Sequence, residues 1–419
     1  MRKKNKVAMS NLKFFSIAIF ACLIIPLTAS GQSVTKLYNE GLTHFKAKNY
    51  DIANNKFEKA LEKDEYFHEA YYYSGRCYFE LGQADKAIEQ FSKAIKNQED
   101  FYPAWYYRGK VYYTQEKYDK ALKNYNKALE HNPELAVAYL SRAKIYDLQN
   151  KRSKALENYN KNEELAGGNY NLYYNRAVLL KNMGKYQQAL NDALKAIDKK
   201  PEASDPFILR SRIFRKERKF KKAEKELDNL LNVNPKSAKA YKERADLFLE
   251  LGKHQKALAD LETLTNKLGK RSSTLEYQKG ICYAHTGNEN RARRSFTKVI
   301  SRNRDFADAY AQRAYVYIKM NKPSMAKQDL RKALRKDEKN PTAHYLLGKL
   351  QLQDYQYEKA LENLNKALKE KHIGEAYALR AECRHKLGKH EKACEDVKLS
   401  IVFGYDKRKA QKDLREYCK

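Results

Sequence analysis

The sequence has few of the residues that break helices and none of the short motifs that mark common catalytic sites. Its 419 residues include only eight prolines and 16 glycines, which suits an all-helical chain. It contains no phosphate-binding glycine loop, no GxSxG or HExxH motif and no paired-cysteine metal spacing. We therefore expect a chain that is not an enzyme and that has no catalytic residues, no cofactor and no metal site.

Acidic residues are scarce beside basic ones. The chain has 84 lysines and arginines against 52 aspartates and glutamates, for a formal net charge of +32. Residues 1–31 contain five basic and no acidic residues, so most of the excess lies in the rest of the chain. Such an excess implies attraction to an anionic partner: an acidic protein, nucleic acid, anionic lipid headgroups or a cell-surface polymer.

Long apolar runs are absent apart from residues 14–27, FFSIAIFACLIIPL, which follow a basic start and precede the small residues 29–31. This pattern predicts a signal peptide over residues 1–31, cleaved before Gln32, and export to the periplasm or the exterior. The run is short for a bilayer span, which needs about 20 residues. A retained N-terminal membrane anchor and lipidation at Cys22 are the alternatives.

The rest of the chain is built from a unit seen clearly at residues 104–133, AWYYRGKVYYTQEKYDKALKNYNKALEHNP. It reads as two short amphipathic helices joined by a turn, and Pro133 marks the end of the second helix. Each helix carries bulky and small residues on one stripe, so that neighbouring helices can approach closely. The stripes are Trp105, Gly109 and Tyr112, and Ala121, Tyr125 and Ala128.

This unit recurs eleven times, and we number its positions so that Trp105 is position 4. Position 8 is small throughout: Gly41, Gly75, Gly109, Ala143, Ala177, Ser211, Ala245, Gly280, Ala314, Gly348 and Ala381. Position 20 is always alanine: Ala53, Ala87, Ala121, Ala155, Ala189, Ala223, Ala257, Ala292, Ala326, Ala360 and Ala393. The step is 34 residues, except 35 into Gly280 and 33 into Ala381.

The pattern resembles the tetratricopeptide repeat, a helix–turn–helix of 34 residues. The resemblance implies an all-α solenoid, a right-handed superhelix of about eleven repeats with a polar C-terminal cap. The expected organisation is a signal peptide at 1–31, a superhelix at 32–407 and a capping helix at 408–419. The repeats lie near 34–67, 68–101, 102–135, 136–169, 170–203, 204–237, 238–272, 273–306, 307–340, 341–373 and 374–407.

Two repeat positions carry more specific expectations. Position 15 is glycine or asparagine in seven repeats, which suits the left-handed turn that ends a helix. Lys48, Glu116, Arg218 and Tyr355 occupy it elsewhere, and there we expect the same turn under strain or a different cap. Position 7 is usually basic: Arg108, Arg142, Arg176, Arg210, Arg244, Lys279, Arg313 and Arg380. We expect these side chains to pack and to reach water or a carboxylate of the next repeat; the alternative is a functional ladder of cations.

The seams between repeats include Gly167-Gly168, the loop 269–273 and residues 370–374. The second seam coincides with the 35-residue step, and we expect a longer surface loop there.

The six cysteines fall into different classes. Cys77, Cys282 and Cys383 share the core position 10 and are expected to be small buried hydrophobes. Cys394 and Cys418 lie on the last repeat and the cap, so they form either a disulfide or two separate thiols. His385, His390 and the nearby cysteines form a cluster, but their helical directions argue against a metal site.

In the tetratricopeptide family the first helix of each repeat lines a concave groove, and positions 2, 5, 9, 12 and 13 contact peptides. Carried over, these positions place aromatic residues and cations in the early groove: Tyr38, Phe45, Tyr72, Arg76, Phe79, Tyr106, Lys110 and Tyr113. Mostly cations follow: Lys144, Tyr174, Lys181, Arg212, Arg215, Lys216, Lys239 and Lys242. No repeat has asparagine at position 9, so the family's clamp for a C-terminal carboxylate is not supported.

These observations predict a non-enzymatic protein–protein interaction scaffold of the bacterial cell envelope. Its partners would be proteins or acidic peptides with hydrophobic anchors, in one version the subunits of an envelope assembly complex. The alternative is a binder of an anionic polymer or a membrane surface through the basic groove. The predicted export signal argues against nucleic acid as the ligand.

Overall fold

The computed structural model describes residues 27–418, which form helices, one π-helical turn and no strand. The helices are α1 Leu27–Lys46, α2 Tyr50–Leu61, α3 His68–Glu80, α4 Ala84–Asn97, α5 Tyr102–Thr114, α6 Tyr118–His131, α7 Ala136–Leu148, α8 Arg152–Ala166, α9 Tyr170–Asn182, α10 Tyr186–Lys199, α11 Ser204–Lys216, α12 Phe220–Val233, α13 Ala238–Glu250, α14 His254–Glu262, α15 Ser273–His285, α16 Glu289–Arg302, α17 Ala307–Lys319, α18 Pro323–Lys336, α19 Pro341–Gln353, α20 Tyr357–Glu370, α21 Gly374–Lys386, α22 His390–Val402 and α23 Lys407–Tyr417. The π-helical turn, Thr263–Lys267, continues α14.

The chain divides into two compact units, the first ending at Gly168 and the second beginning at Asn169. The first contains α1–α8 and the second α9–α23. In each unit, odd-numbered helices, called A helices here, pack against the even-numbered B helices that follow them. Each A helix also packs against the B helix of the preceding repeat, and several neighbouring A helices touch one another. The predicted all-α fold of stacked helix–turn–helix repeats is confirmed.

The turn between the A and B helices has the same backbone conformation whichever residue occupies it. The five glycines and two asparagines at position 15 have positive φ, and so do the four other residues found at this position. In those four repeats φ is 62° at Lys48, 58° at Glu116, 58° at Arg218 and 61° at Tyr355. These four repeats therefore have the same left-handed turn, under strain, and not a different helix cap.

The core is built from the small residues that set the repeat. Ala87 at position 20 is fully buried, as are the other ten alanines of the series. Position 8 faces position 24 of the same repeat: a Cβ added to Gly75 would lie 2.8 Å from Phe91, and one added to Gly109 would lie 2.8 Å from Tyr125. Glycine at position 8 thus gives room for an aromatic ring in the partner helix.

The position 7 arginines are structural, and the expectation about their partners was wrong in one respect. Arg313 donates from Nε and Nη2 to the two carboxylate oxygens of Asp329, at 2.7 and 2.9 Å, and from Nη1 to Thr297 at 3.0 Å. The carboxylate lies sixteen residues on, in the B helix of the same repeat, and Thr297 belongs to the preceding repeat. Arg210, Arg244 and Arg380 also find their carboxylates sixteen residues on. The hydrogen bonds of these four arginines run to the same repeat or to the preceding one, because the A helix packs between its own B helix and the one before it.

The last helix, α23, covers the end of the stack. Ala410 is fully buried and Tyr417 is 8% exposed, with its ring stacked on His385 at 4.4 Å between centroids. A disulfide joins Cys394 to Cys418 with 5.0 Å between the Cα atoms, so the helix is held covalently to α22. Its N-terminus is capped by Asp406, which accepts from the backbone of the first turn.

The predicted signal peptide falls almost wholly on residues 1–26, outside the described residues, so export stays a prediction. From residue 27 to residue 418, no helix is both long enough and apolar enough to cross a bilayer.

Candidate binding surface on the A helices

The groove residues expected from the sequence all lie on A helices. They are distributed as Tyr38 and Phe45 on α1, Tyr72, Arg76 and Phe79 on α3, Tyr106, Lys110 and Tyr113 on α5, Lys144 on α7, Tyr174 and Lys181 on α9, Arg212, Arg215 and Lys216 on α11, and Lys239 and Lys242 on α13. The set in the first unit is mostly aromatic, with three cations, and the set in the second unit is mostly cationic, with one tyrosine.

In the first unit, the aromatic residues mostly pack against one another. Tyr72 is only 8% exposed, and its ring contacts Phe101 and Tyr107 edge-on at 5.4 and 5.5 Å. Tyr38 is half-buried, with its ring 4.8 Å from Phe67. Burial raises the pKa of both phenols. These two side chains therefore contribute to the packing between repeats more than to a free contact surface.

Arg76 lies among four of these aromatic rings. Its guanidinium carbon is 4.5 Å from the ring centre of Phe45 and 4.8 Å from that of Tyr107, distances typical of a cation–π contact. Tyr72 and Tyr73 lie slightly farther away. Arg76 Nε is buried and has no hydrogen-bond partner among residues 27–418. The guanidinium is thus packed against rings of α1, α3 and α5, and its Nη1 donates one long hydrogen bond, 3.5 Å, to the hydroxyl of Tyr72.

Two lysines continue this surface. The ammonium of Lys110 lies 4.9 Å from the ring centre of Phe79 and 5.4 Å from that of Tyr107. Lys144 is partly buried on α7, and burial lowers its pKa. Tyr106 and Tyr113 are partly buried too, and burial raises the pKa of each phenol. The A helices of the first unit thus present a packed aromatic face, on which Arg76 and Lys110 lie over aromatic rings.

In the second unit, α9, α11 and α13 enclose a cavity of about 400 Å³, which we call the groove cavity. Ile208 and Leu209 are each 6% exposed and form an apolar floor with the partly exposed Val178. The cavity is lined by Tyr174, Val178, Lys181, Asp205, Ile208, Leu209, Arg212, Lys239, Lys242 and Glu243. Five of the predicted groove residues thus meet around one space.

Some of the cations here are already paired. Arg212 donates to the carboxylate of Glu243, and Lys239 Nζ lies 2.8 Å from Asp205 Oδ1. Arg215 does not line the cavity but pairs with Glu250 at 2.7 Å. These pairs are exposed on at least one side, so they hold side-chain directions more than they stabilise the fold.

Two cations of the groove cavity are free. Among the described residues, Lys181 and Lys242 have no ion-pair or hydrogen-bond partner for their ammonium groups. Tyr174 stacks on Tyr170 with 5.9 Å between ring centres, and its pKa is raised first by burial and then by Asp205. The cavity thus presents two unpaired positive charges over an apolar floor, with a phenol at one side.

Reasoning from the sequence missed the acidic residues of the cavity and its floor. Asp205 is at position 2, one of the ligand-contacting positions, and its negative charge could have been noticed there. Ile208 is at position 5, also a ligand-contacting position, whereas Leu209 and Glu243 are at position 6, and only the packing of three A helices brings them together.

The cluster of histidines and cysteines near the last turn does not assemble a metal site. His385 Nδ1 and His390 Nδ1 are 3.1 Å apart, whereas Cys383 is fully buried and Cys394 is in the disulfide. Nowhere in residues 27–418 do three or more histidine, cysteine, aspartate or glutamate side chains gather in a way that could hold a metal ion.

Solved structures of other repeat proteins are similar to this chain at low identity. A tetratricopeptide repeat protein from Parabacteroides merdae matches with 18% identity over 68% of this chain and 99% of its own, at a TM-score of 0.44. Yeast Tom70 matches with 14% identity over 93% and 95%, at 0.45. Pseudomonas aeruginosa pilF matches with 18% identity over 53% and 99%, at 0.46.

Family models match three parts of the sequence. Two tetratricopeptide repeat models match, one at residues 102–135 and the other at 38–103 and 311–372. A model of the coatomer epsilon subunit matches residues 169–340. Since the repeated helix pairs, their buried alanines and these matches agree, the chain belongs to the tetratricopeptide repeat family.

Proposed function

We propose that this chain is a non-enzymatic scaffold of the bacterial cell envelope that binds an acidic segment of a partner protein at the groove cavity. Proteins of the tetratricopeptide repeat family bind protein partners. The observation that carries the finer proposal is the pair of unpaired ammonium groups, Lys181 and Lys242, above the apolar floor of Ile208 and Leu209.

A segment with alternating acidic and apolar side chains matches this surface. Its carboxylates would meet Lys181 and Lys242, and an apolar side chain would cover Val178 and the floor. The side chains of Arg212 and Lys239 are already directed by Glu243 and Asp205. Because these groups are ordered before binding, little conformational entropy is lost by the protein. The net charge of +32 would also speed the encounter with an acidic partner.

Placement in the envelope is part of the proposal and has two supports. The first is the basic and apolar N-terminal segment with small residues before Gln32. The second is the Cys394–Cys418 disulfide, since such bonds persist in oxidising compartments such as the periplasm. Cell fractionation together with N-terminal sequencing of the native protein tests this part. Recovery from the cytoplasm with Met1 intact would contradict it.

The binding proposal can be tested with a defined probe, a fluorescein-labelled peptide of four Glu-Glu-Leu repeats. Fluorescence anisotropy would measure its Kd for the chain from Gln32 to Lys419, at low and physiological salt. We expect Lys181→Ala combined with Lys242→Ala to weaken binding about tenfold, since each lost charge contact is worth about 0.2–1 kcal/mol when exposed and more when partly desolvated.

The matched control removes two charges elsewhere in the second unit. Lys221 and Lys225 are exposed on the B helix α12 and have no ion-pair partner within the described residues. Their double replacement by alanine should leave Kd nearly unchanged. Equal weakening by both double variants, with a steep salt dependence, would point to general attraction of a polyanion instead.

A further inference from the structure

We propose that a second cavity beside the groove cavity binds a pair of neighbouring carboxylates of the same partner segment; this inference rests on the proposed function. The cavity, which we call the side pocket, has a volume of about 430 Å³ and lies between α13, the π-helical turn and the start of α15. It is lined by Ala238, Lys239, Lys242, Leu264, Lys270, Arg271, Ser272, Thr274 and Leu275.

The charge of this lining has one sign. Four of its nine residues are cations, and none is acidic. Lys239 is paired with Asp205, but the side chains of Lys242, Lys270 and Arg271 have no hydrogen-bond or ion-pair partner in the described part of the chain. Water screens these exposed charges from one another, and an anion bound among them would gain an attraction to each of the three.

The pocket exists because one repeat is longer than its neighbours. The step into Gly280 is 35 residues. The loop between the π-helical turn and α15 has five residues, 268–272, whereas the equivalent loops before α13 and before α17 have four, 234–237 and 303–306. This is the longer surface loop that the sequence predicted.

The loop is ordered by its own backbone. Lys270 N donates to Leu264 O at 2.9 Å, Leu268 N donates to Thr263 O at 3.0 Å, and Ser272 Oγ accepts from Leu275 N at 3.1 Å. These bonds leave the side chains of Lys270 and Arg271 exposed at the rim. The floor of the pocket is apolar, since Leu264 is 2% and Leu275 is 7% exposed.

The occupant is identified by charge and by continuity. Lys239 and Lys242 line both the groove cavity and the side pocket, so a segment bound in the first extends into the second without a gap. The cations stand on two separate elements, α13 and the loop, so two adjacent carboxylates can each meet one of the two sets. A volume of about 430 Å³ suits side chains of this size, since binding pockets commonly measure about 300–1,000 Å³.

The experiment compares two fluorescein-labelled peptides, four Glu-Glu-Leu repeats and four Glu-Gln-Leu repeats, which differ in their adjacent carboxylates. The chain from Gln32 to Lys419 should bind the first about tenfold more tightly. Lys270→Ala with Arg271→Ala should reduce that preference to about threefold, because exposed charge contacts are each worth only a few-fold in Kd. Thr274→Trp, which fills the pocket without changing charge, should reduce it as much.

The matched control is Arg302→Ala with Arg304→Ala, which removes two exposed cations from the end of α16 and the equivalent four-residue loop. It should keep the tenfold preference. If the Lys270/Arg271 and Thr274 variants also keep it while Lys181→Ala with Lys242→Ala loses binding, the side pocket is refuted and the proposed function stands. If neither peptide binds the unaltered chain, the proposed function itself fails. Capture by phosphatidylglycerol vesicles without peptide binding would refute both in favour of a lipid surface.

Discussion

The ion pair between the mostly buried Arg313 and the buried Asp329, in the ninth repeat, provides the sharpest test of how the stack is held together. The side chains of Arg313 and Asp329 are 13% and 3% exposed, and two parallel hydrogen bonds join them. Replacing Arg313 by leucine leaves the Asp329 carboxylate buried without its cation. Removing one partner of a buried pair costs about 3–5 kcal/mol, and we expect a loss toward the lower end because Arg313 is partly exposed.

The next repeat supplies a matched double variant. At the equivalent positions it has Leu347 and Asn363, a neutral pair that the same architecture accommodates. Arg313→Leu combined with Asp329→Asn should therefore cost only about 1 kcal/mol, because replacing both members of a buried ion pair is often close to neutral. The double variant should be more stable than the single variant by about 2 kcal/mol.

Stacked repeats do not unfold in a single step, so the assay has to be local. Hydrogen exchange of peptides from α17 and α18, read by mass spectrometry, gives the opening free energy of this repeat. Lys366→Ala is the surface reference, read from peptides of its own repeat, α19 and α20: it breaks an i,i+4 pair with Glu362 whose side chains are more than half exposed, and should leave the opening free energy nearly unchanged. If Arg313→Leu costs no more than this reference, or if the double variant is no better than the single one, the reasoning is wrong.

Three further predictions follow from the turns, the cap and the histidines. Arg218→Gly should stabilise its repeat by about 0.5–1 kcal/mol because φ is 58° there, while Gly252→Ala should cost about 1–2 kcal/mol by strain alone, since no atom lies within 4 Å of the added Cβ; hydrogen exchange of the two helices joined by each turn tests both. Cys418→Ser should lower the protection of α23 against hydrogen exchange by about 3 kcal/mol, and unchanged protection would show that packing alone holds the cap. Burial lowers the pKa of His254 and His285, whose rings stack at 4.2 Å, so the unfolded chain takes up protons first as pH falls below about 6.5. Protection of α14 and α15 should be present above that pH and fall on acidification, and replacing both histidines by glutamine should remove the pH dependence.

The repeat architecture could be predicted because the sequence states it eleven times. A small alanine at position 20 lets two helices approach closely enough to exclude water, and all eleven of these alanines are buried. The left-handed turn at position 15 was predicted from glycine and asparagine, and it persists at Lys48 and Tyr355 because the packing of the two helices fixes the backbone there.

The surface was harder to predict because its side chains depend on their neighbours' sizes. Tyr72 is at a ligand-contacting position of the family, yet it is buried because Phe101, at the end of its own repeat, and Tyr107 of the next repeat pack against its ring. The partner of Arg313 was expected in the following repeat and lies in the same one. Helical periodicity gives the direction in which a side chain leaves its helix, but the stacking geometry determines which neighbour it meets.

The side pocket shows why departures from the repeat carry the most specific information. A period of 35 residues is visible in the sequence, and two cations in the added loop look there like ordinary solvated charges. In the structure, Lys270 and Arg271 lie on a loop held by backbone hydrogen bonds and line the same cavity as Lys242, so we assign them a role in binding. The backbone hydrogen bonds of the loop fix where these two side chains leave it, so an anion in the side pocket meets the loop cations and Lys242 together. A segment with adjacent carboxylates can contact both sets of cations, so the irregular repeat is where selectivity between acidic segments should be found.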